Sequence, residues 1–329
     1  MKIVLSRKSF DSKYGGKPNL IFQDGCLLTL PIPGYQYVSM KNFKGDLFNP
    51  TEYCDIEIPV KIQKILKENQ LHSLNNYAEL MLKLFEKSSA KKIQKLKDRL
   101  TGSLLDDANR KPYYCHLDPD LIYENLRRIN GWHGLFGPSP DYHKHLSNEL
   151  KENDLILFFG TFRHIIIEEG SIRYAIKRDG KDLIYEGKHL IYGYLQIKKI
   201  ITDSRGIEDW MHQPNHHPHL DEKLWNNRNR ALYVGRNHLY LDGKRTRYKG
   251  YGTLNFSKDL VLTEKNATTR IWKRQLFPKG SIIKHKNIII SQSKWNRNNC
   301  FEWDSYGQEF IIERCPEFEN HIINNIFKL

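Results

Sequence analysis

Two apolar runs dominate the hydrophobic pattern of the chain. Residues 154–163 read DLILFFGTFR, and residues 189–197 read HLIYGYLQI. Short runs rich in Ile, Leu, Phe and Tyr predict strands buried in a sheet. Each run also carries polar residues: Arg163 and His164 in the first, His189 and Gln196 in the second. A strand needs only its apolar positions to sit in a sheet. A ligand-facing pocket is one explanation for the polar interruptions. Further strands are predicted at 2–5, 25–33, 155–159, 162–168, 172–177, 183–186, 189–202, 231–235 and 260–263, several parted by turn pairs such as Glu169-Gly170 and Asp179-Gly180.

A helical pattern occupies the first half. Ser73 is a predicted N-cap, and Tyr77, Leu80, Met81, Leu84 and Phe85 recur on one helical face. Lys91 to Leu100 continues with Ile93, Leu96 and Leu100 apolar and lysines between. This reads as a solvated lysine face, or alternatively as a phosphate-tracking one. Asp118-Pro119-Asp120 predicts a capped helix start, with Leu121, Leu126 and Ile129 as its stripe and Gly131 as its stop. The Gly- and Pro-rich stretch 131–142 predicts loop, and Pro316 to Phe327 a closing helix. The fold class is therefore α+β, with a mixed or antiparallel barrel-like sheet. Residues 1–150 form a strand, loop and helical part and residues 151–329 a β-rich part; the two can equally make one integrated domain.

Charge narrows the partner. The chain has 329 residues, with 52 Lys and Arg against 38 Asp and Glu, a net charge of +14. Such a surplus attracts nucleic acid or a nucleotide. Five widely spaced cysteines without a CxxC pair argue against a disulfide framework and a cysteine zinc site, and fit a reducing, cytoplasmic setting. No run approaches the roughly 20 apolar residues of a membrane span.

Several clusters carry candidate chemistry. Ser6 to Ser12 follows a strand with two cations, three hydroxyls and a carboxylate. Arg7 and Lys8 suit a phosphate, and Asp11 a base, a metal ligand or an Arg partner. The glycine spacing and GK[ST] ending of a P-loop are missing. His116, Asp118 and Asp120 form HLDPD, where helix capping by Asp118 competes with cation binding. His212, His216, His217 and His219 crowd one tract, which Pro214 and Pro218 stiffen against closing around one ion, so no metal is assigned. Aromatic and basic residues interleave at Trp225–Arg228, Arg270–Arg274 and Lys294–Arg297. Trp272 and Arg274 typify a platform that stacks on a base while a cation meets phosphate. Nucleophile-elbow, HExxH, dinucleotide and kinase signatures are absent.

The opening KIVLSRKSFDSKYGG, with LLTLPIP, HLDPDL, GWHGLFG, DLILFFGTFR, HLIYGYLQI, HPHL and GQEFII in order, resembles the family of the nucleotide modification associated domain, third type. The chain departs from that pattern at Ser9, where the family has glycine, and at Pro138, Ser139 and Pro140, where it has a glutamine-rich stretch. The resemblance implies a phage or bacterial system that modifies, senses or restricts altered nucleotides, with DNA favoured over RNA and with possible partner proteins of the same system. The paired apolar runs also look like the sheet of the PUA, ASCH and EVE group, an analogy at the level of fold. Three functions are open, one of them a partner-docking protein of the same system with no pocket of its own. In another, Phe159 and Arg163 contact a modified base whose edge meets His189 and Gln196. In the third, Arg7, Lys8 and Asp11 act with His116 or Asp118 as an enzyme on DNA or nucleotides. No cofactor is implied.

Overall fold

The computed structural model describes residues 1–8, 10, 17–33, 51–86, 115–128, 130–138, 143, 145–146, 148–179, 182–184, 187–211, 217–220, 230–303 and 309–328. Asp11, the Lys91–Leu100 segment, Ile129, His212, His216 and the Trp225–Arg228 tract lie outside them.

The long apolar runs become the two longest strands. Twelve strands make the main sheet: β1 (Ile3–Arg7), β2 (Asn19–Ile21), β3 (Leu27–Leu28), β4 (Leu135–Phe136), β5 (Leu155–Glu168), β6 (Ser171–Tyr174), β7 (Lys188–Ile201), β8 (Leu232–Gly235), β9 (Tyr251–Thr253), β10 (Ile282–His285), β11 (Ile288–Ile289) and β12 (Glu309–Arg314). The order along the sheet is β11-β10-β12-β1-β5-β7-β8-β4, with β9 on β7 and with β2 and β6 on β5. The expected breaks at 160–161 within β5 do not occur; the strand is continuous. Between its ends, residues 155–159 and 162 are buried, and both faces of that half are covered. Such a run satisfies its backbone only inside a sheet.

β5 is long enough to serve two neighbours along one edge. β1 runs parallel to it over Leu155–Phe159, and β2 runs parallel over Phe162–His164. β1 also pairs antiparallel with β12, so residues near both ends of the sequence meet at the sheet centre. β7 pairs antiparallel with β5, with a bulge between Ile191 and Gly193. Gly193 is the residue that fits there: a Cβ would lie 2.7 Å from Leu121 Cδ1 and 3.1 Å from the Gly252 carbonyl.

The sheet divides its core at the middle of β5. Its first half joins Phe136, Tyr192, Trp272, Phe277 and Phe310 in one apolar cluster. Ile165 and Ile167 belong to a second, with Leu20, Tyr53, Leu80 and Met81. Helices α1 (Val60–Glu68) and α2 (Tyr77–Phe85) supply that second core. The α2 stripe of Tyr77, Leu80, Met81, Leu84 and Phe85 is buried, as its spacing predicts. Its cap is Asn76 rather than Ser73. The Asn76 side chain accepts from the Glu79 N–H and the Glu79 carboxylate accepts from the Asn76 N–H, a capping box that Ser73 is too far upstream to form. α1 had no clear signal: only Ile62 and Leu66, one turn apart, are buried.

Three further expectations are corrected. Residues 260–263 form a 3-10 turn and isolated bridges, not a strand. The helix expected from Asp118 does not form. His116 ends a short strand, Asp120 pairs with Leu135 in both backbone directions, and only a 3-10 turn follows at Tyr123–Asn125. Strand pairing takes the backbone groups that a first helical turn would have used. The architecture is α+β, and sheet outweighs helix. Among the described residues the ends of the sheet do not meet, so the expected barrel-like closure is replaced by an open sheet. The C-terminal helix α3 (Pro316–His321) forms as expected and continues as one π-helical turn. No helix among the described residues is long and apolar enough to cross a membrane.

Candidate functional site

Side chains on a strand alternate between faces. The register Ser6↔Phe158↔Gly193 and Arg7↔Phe159↔Ile191 therefore sends neighbours to opposite sides of the sheet. Ser6, Lys8 and Glu309 lie on one face, while Arg7, Phe159 and Phe310 lie on the other. Each face carries a distinct cluster.

The first cluster is aromatic. Arg7, Phe159, His189, Thr269, Arg270, Trp272, Trp303 and Phe310 line a small cleft that encloses about 50 Å³. Trp272 is its hub, edge-on to Phe159 at 5.3 Å and to His189 at 6.2 Å. The Trp272 indole N–H faces both the Thr269 carbonyl and His189 Nδ1, each at 3.2 Å. Because that bond makes Nδ1 an acceptor, the ring proton sits on Nε2. Among the described residues Nε2 is buried and makes no hydrogen bond. Burial, with repulsion from Arg7, holds the His189 pKa down at about 3. His189 is thus a neutral ring with an unused donor in an aromatic cleft. Arg270 is exposed at the cleft, and Arg7 is half-buried.

The second cluster is polar and more deeply buried. Its centre is Asp118, whose side chain is 1 % exposed. Asp118 Oδ1 accepts from the Gly137 N–H at 2.8 Å, and His217 Nε2 lies 3.3 Å from it. Three nitrogens surround Oδ2: Lys8 Nζ at 3.6 Å, His219 Nε2 at 3.7 Å and His116 Nε2 at 4.0 Å. Burial alone would raise the Asp118 pKa, but Lys8, His217 and His219 draw it well below the usual carboxylate range. Burial and repulsion from His219 push His116 down to about 3. Lys8 Nζ also lies 4.0 Å from Glu309 Oε1 and 4.8 Å from the Phe136 ring centre. Burial raises Glu309 to about 7, against the pull of Lys8 and a Ser6 hydroxyl bond of 3.4 Å. His116, Asp118 and His219 offer ligand atoms within 4.8 Å of one another, the grouping a metal ion requires.

The sequence-predicted residues distribute over these faces. Arg7, Phe159, His189 and Trp272 share the aromatic cleft, whereas Lys8, His116 and Asp118 share the polar cluster. The single cleft uniting Arg7 and Lys8 does not exist, because adjacent strand residues point apart. Arg163 and Gln196 are committed to the fold. Arg163 donates from Nε and Nη2 to the Ala175 carbonyl. The Gln196 amide donates to the Asn153 and Tyr240 carbonyls and accepts from the Tyr240 N–H, tying β7 to the 240 loop. Arg274 is exposed and is not among the cleft residues. Asp120 pairs with Arg128 rather than joining the cluster. Sequence reasoning missed Glu309 and Trp303, named Arg270 only as one end of its aromatic-basic tract, and left His217 and His219 without a function. Glu309 carried a readable signal, a lone carboxylate ahead of the apolar FII of β12.

The family comparison bears on the whole of this arrangement. The family model described as nucleotide modification associated domain 3 matches residues 2–313. The chain belongs to that family. The match runs from β1 through β12, so both clusters of this nucleotide modification associated domain lie inside it. No curated protein and no solved structure matches the chain.

Proposed function

We propose that this nucleotide modification associated protein recognises a base or nucleotide in DNA, and that the aromatic cleft receives it. The carrying observation is the buried His189 Nε2 donor, without a hydrogen bond among the described residues, inside a cleft walled by Trp272, Trp303 and Phe159. A planar heterocycle offers the ring face those side chains stack against and an edge acceptor for that N–H. Arg7 and Arg270 stand where a flanking phosphate meets a cation. A net charge of +14 adds long-range attraction to the strand.

The test is fluorescence anisotropy with labelled single-stranded DNA, carrying ordinary or modified bases, at low and moderate salt. The proposal expects binding that weakens with salt and that Trp272→Ala and Arg270→Ala each weaken, while Arg274→Ala does not. Absence of binding to every oligonucleotide at low salt, with the protein folded, refutes it.

A catalytic reading draws on the opposite face, where Glu309 is poised at about 7 beside Lys8. A carboxyl near neutrality suits proton transfer. Mass spectrometry of the same oligonucleotides after incubation tests it. If the native protein leaves every one unchanged, that reading is lost while the recognition reading stands.

A further inference from the structure

The polar cluster contains a contradiction that a hydrogen-bond account does not resolve. Among the described residues, Asp118 Oδ2 is buried and makes no hydrogen bond, and its ion-pair partner is Lys8 at 3.6 Å. Its nearest imidazole nitrogens stand 3.7 Å and 4.0 Å away. Those separations are too long for hydrogen bonds. They suit donor atoms sharing a central ion: with bonds of about 2.0–2.2 Å, neighbouring ligands stand roughly 3–4 Å apart.

The other carboxylate oxygen is fixed in the manner of an oriented ligand. The Gly137 N–H donates to Oδ1 at 2.8 Å. His217 Nδ1 accepts from the His219 backbone N–H at 3.3 Å, which turns Nε2 towards Oδ1 at 3.3 Å, a contact short of a hydrogen bond. Outer partners of this kind hold a ligating carboxylate in place. Gly137 is required for the approach: a Cβ there would lie 2.3 Å from His219 Cγ.

We propose that His116 Nε2, His219 Nε2 and Asp118 Oδ2 bind a divalent first-row transition ion, with His217 and the Gly137 amide orienting the carboxylate. Two imidazoles and one carboxylate form a borderline donor set that favours such ions over magnesium or calcium. Three protein ligands leave coordination positions open. The His116 side chain is 24 % exposed against 1 % for Asp118, so the ion and any further ligand approach past His116. Lys8 competes for Oδ2 at 3.6 Å, and Glu309 Oε1, 4.0 Å from the ammonium, offers it a second anchor when the ion binds. This inference does not rest on the aromatic cleft.

The test titrates Co(II) into the chelator-stripped full chain and follows its visible absorption, with Zn(II) as competitor. The expected result is saturable binding that Zn(II) displaces. His116→Gln and His219→Gln weaken it by ~100-fold or more and His217→Gln by ~10–100-fold, the outer-shell range. Lys8→Met tightens it, because a competing cation has gone. Circular dichroism checks each fold, and His116 on the rim gives the ligand variant least tied to packing. No saturable Co(II) binding by the native chain overturns the proposal, as does native affinity in a folded His116→Gln protein or weaker binding in Lys8→Met.

Discussion

Replacing His189 with Gln should flatten the acid sensitivity of the fold. The folded imidazole titrates at about 3, pushed there by burial and by repulsion from the Arg7 cation. Its other neighbours are apolar or neutral: Trp272 and Phe159 around the ring, and Thr263 on the backbone N–H at 2.8 Å. In the unfolded chain the ring titrates near 6.5. Between those values the unfolded state binds one proton more than the folded state. Stability then rises with pH and falls as pH drops below 6.5. From pH 7 to pH 4.5 the fall spans two pH units below the unfolded pKa. At about 1.36 kcal/mol per unit, that removes roughly 2–3 kcal/mol. Gln cannot titrate, but its amide oxygen can still accept from the Trp272 indole. The variant should be less stable than native at pH 7 and lose about 2–3 kcal/mol less on acidification. Urea unfolding followed by tryptophan fluorescence at both pH values measures this. Other groups titrate identically in the two proteins and cancel in the difference. If both proteins lose the same stability to within about 0.5 kcal/mol, His189 is not held neutral by burial and the picture of the cleft is wrong.

Two more predictions probe the supports of the site. Gly137→Ala places a methyl 2.3 Å from His219 Cγ and 2.5 Å from Cδ2. It should destabilise by about 1–3 kcal/mol and shift the His219 ring signals in an NMR spectrum; an unchanged ring environment would mean that the close approach is not needed. Asn76→Ala removes half of the α2 capping box and should cost about 1 kcal/mol in a denaturant melt. Oligonucleotide binding should survive that change, since α2 packs on the second core; a parallel loss of binding would contradict the separation of the two halves.

The sequence by itself determined the elements whose signal is local and repeated. β5 and β7 were readable because short apolar runs rich in Ile, Phe and Tyr and bounded by turn residues favour buried strands. α2 was readable because its five apolar residues recur at the helical period. The family membership was readable for a related reason, since many short motifs keep their order along the chain. Asp118 shows where local reading fails. Asp-Pro-Asp is a real capping signal, but Asp120 finds Leu135 and Asp118 finds Gly137, and these distant partners outbid a helix that local bonds alone would support. His217 and His219 likewise gained meaning only when the fold carried them to Asp118. Arg7 and Lys8 are the sharpest case. Adjacent in sequence, they looked like one phosphate-binding pair. The tertiary structure placed Arg7 at the end of β1 and Lys8 just past it, its N–H still bonded to the Phe159 carbonyl, so that alternation sends one to an aromatic cleft and the other to a buried carboxylate.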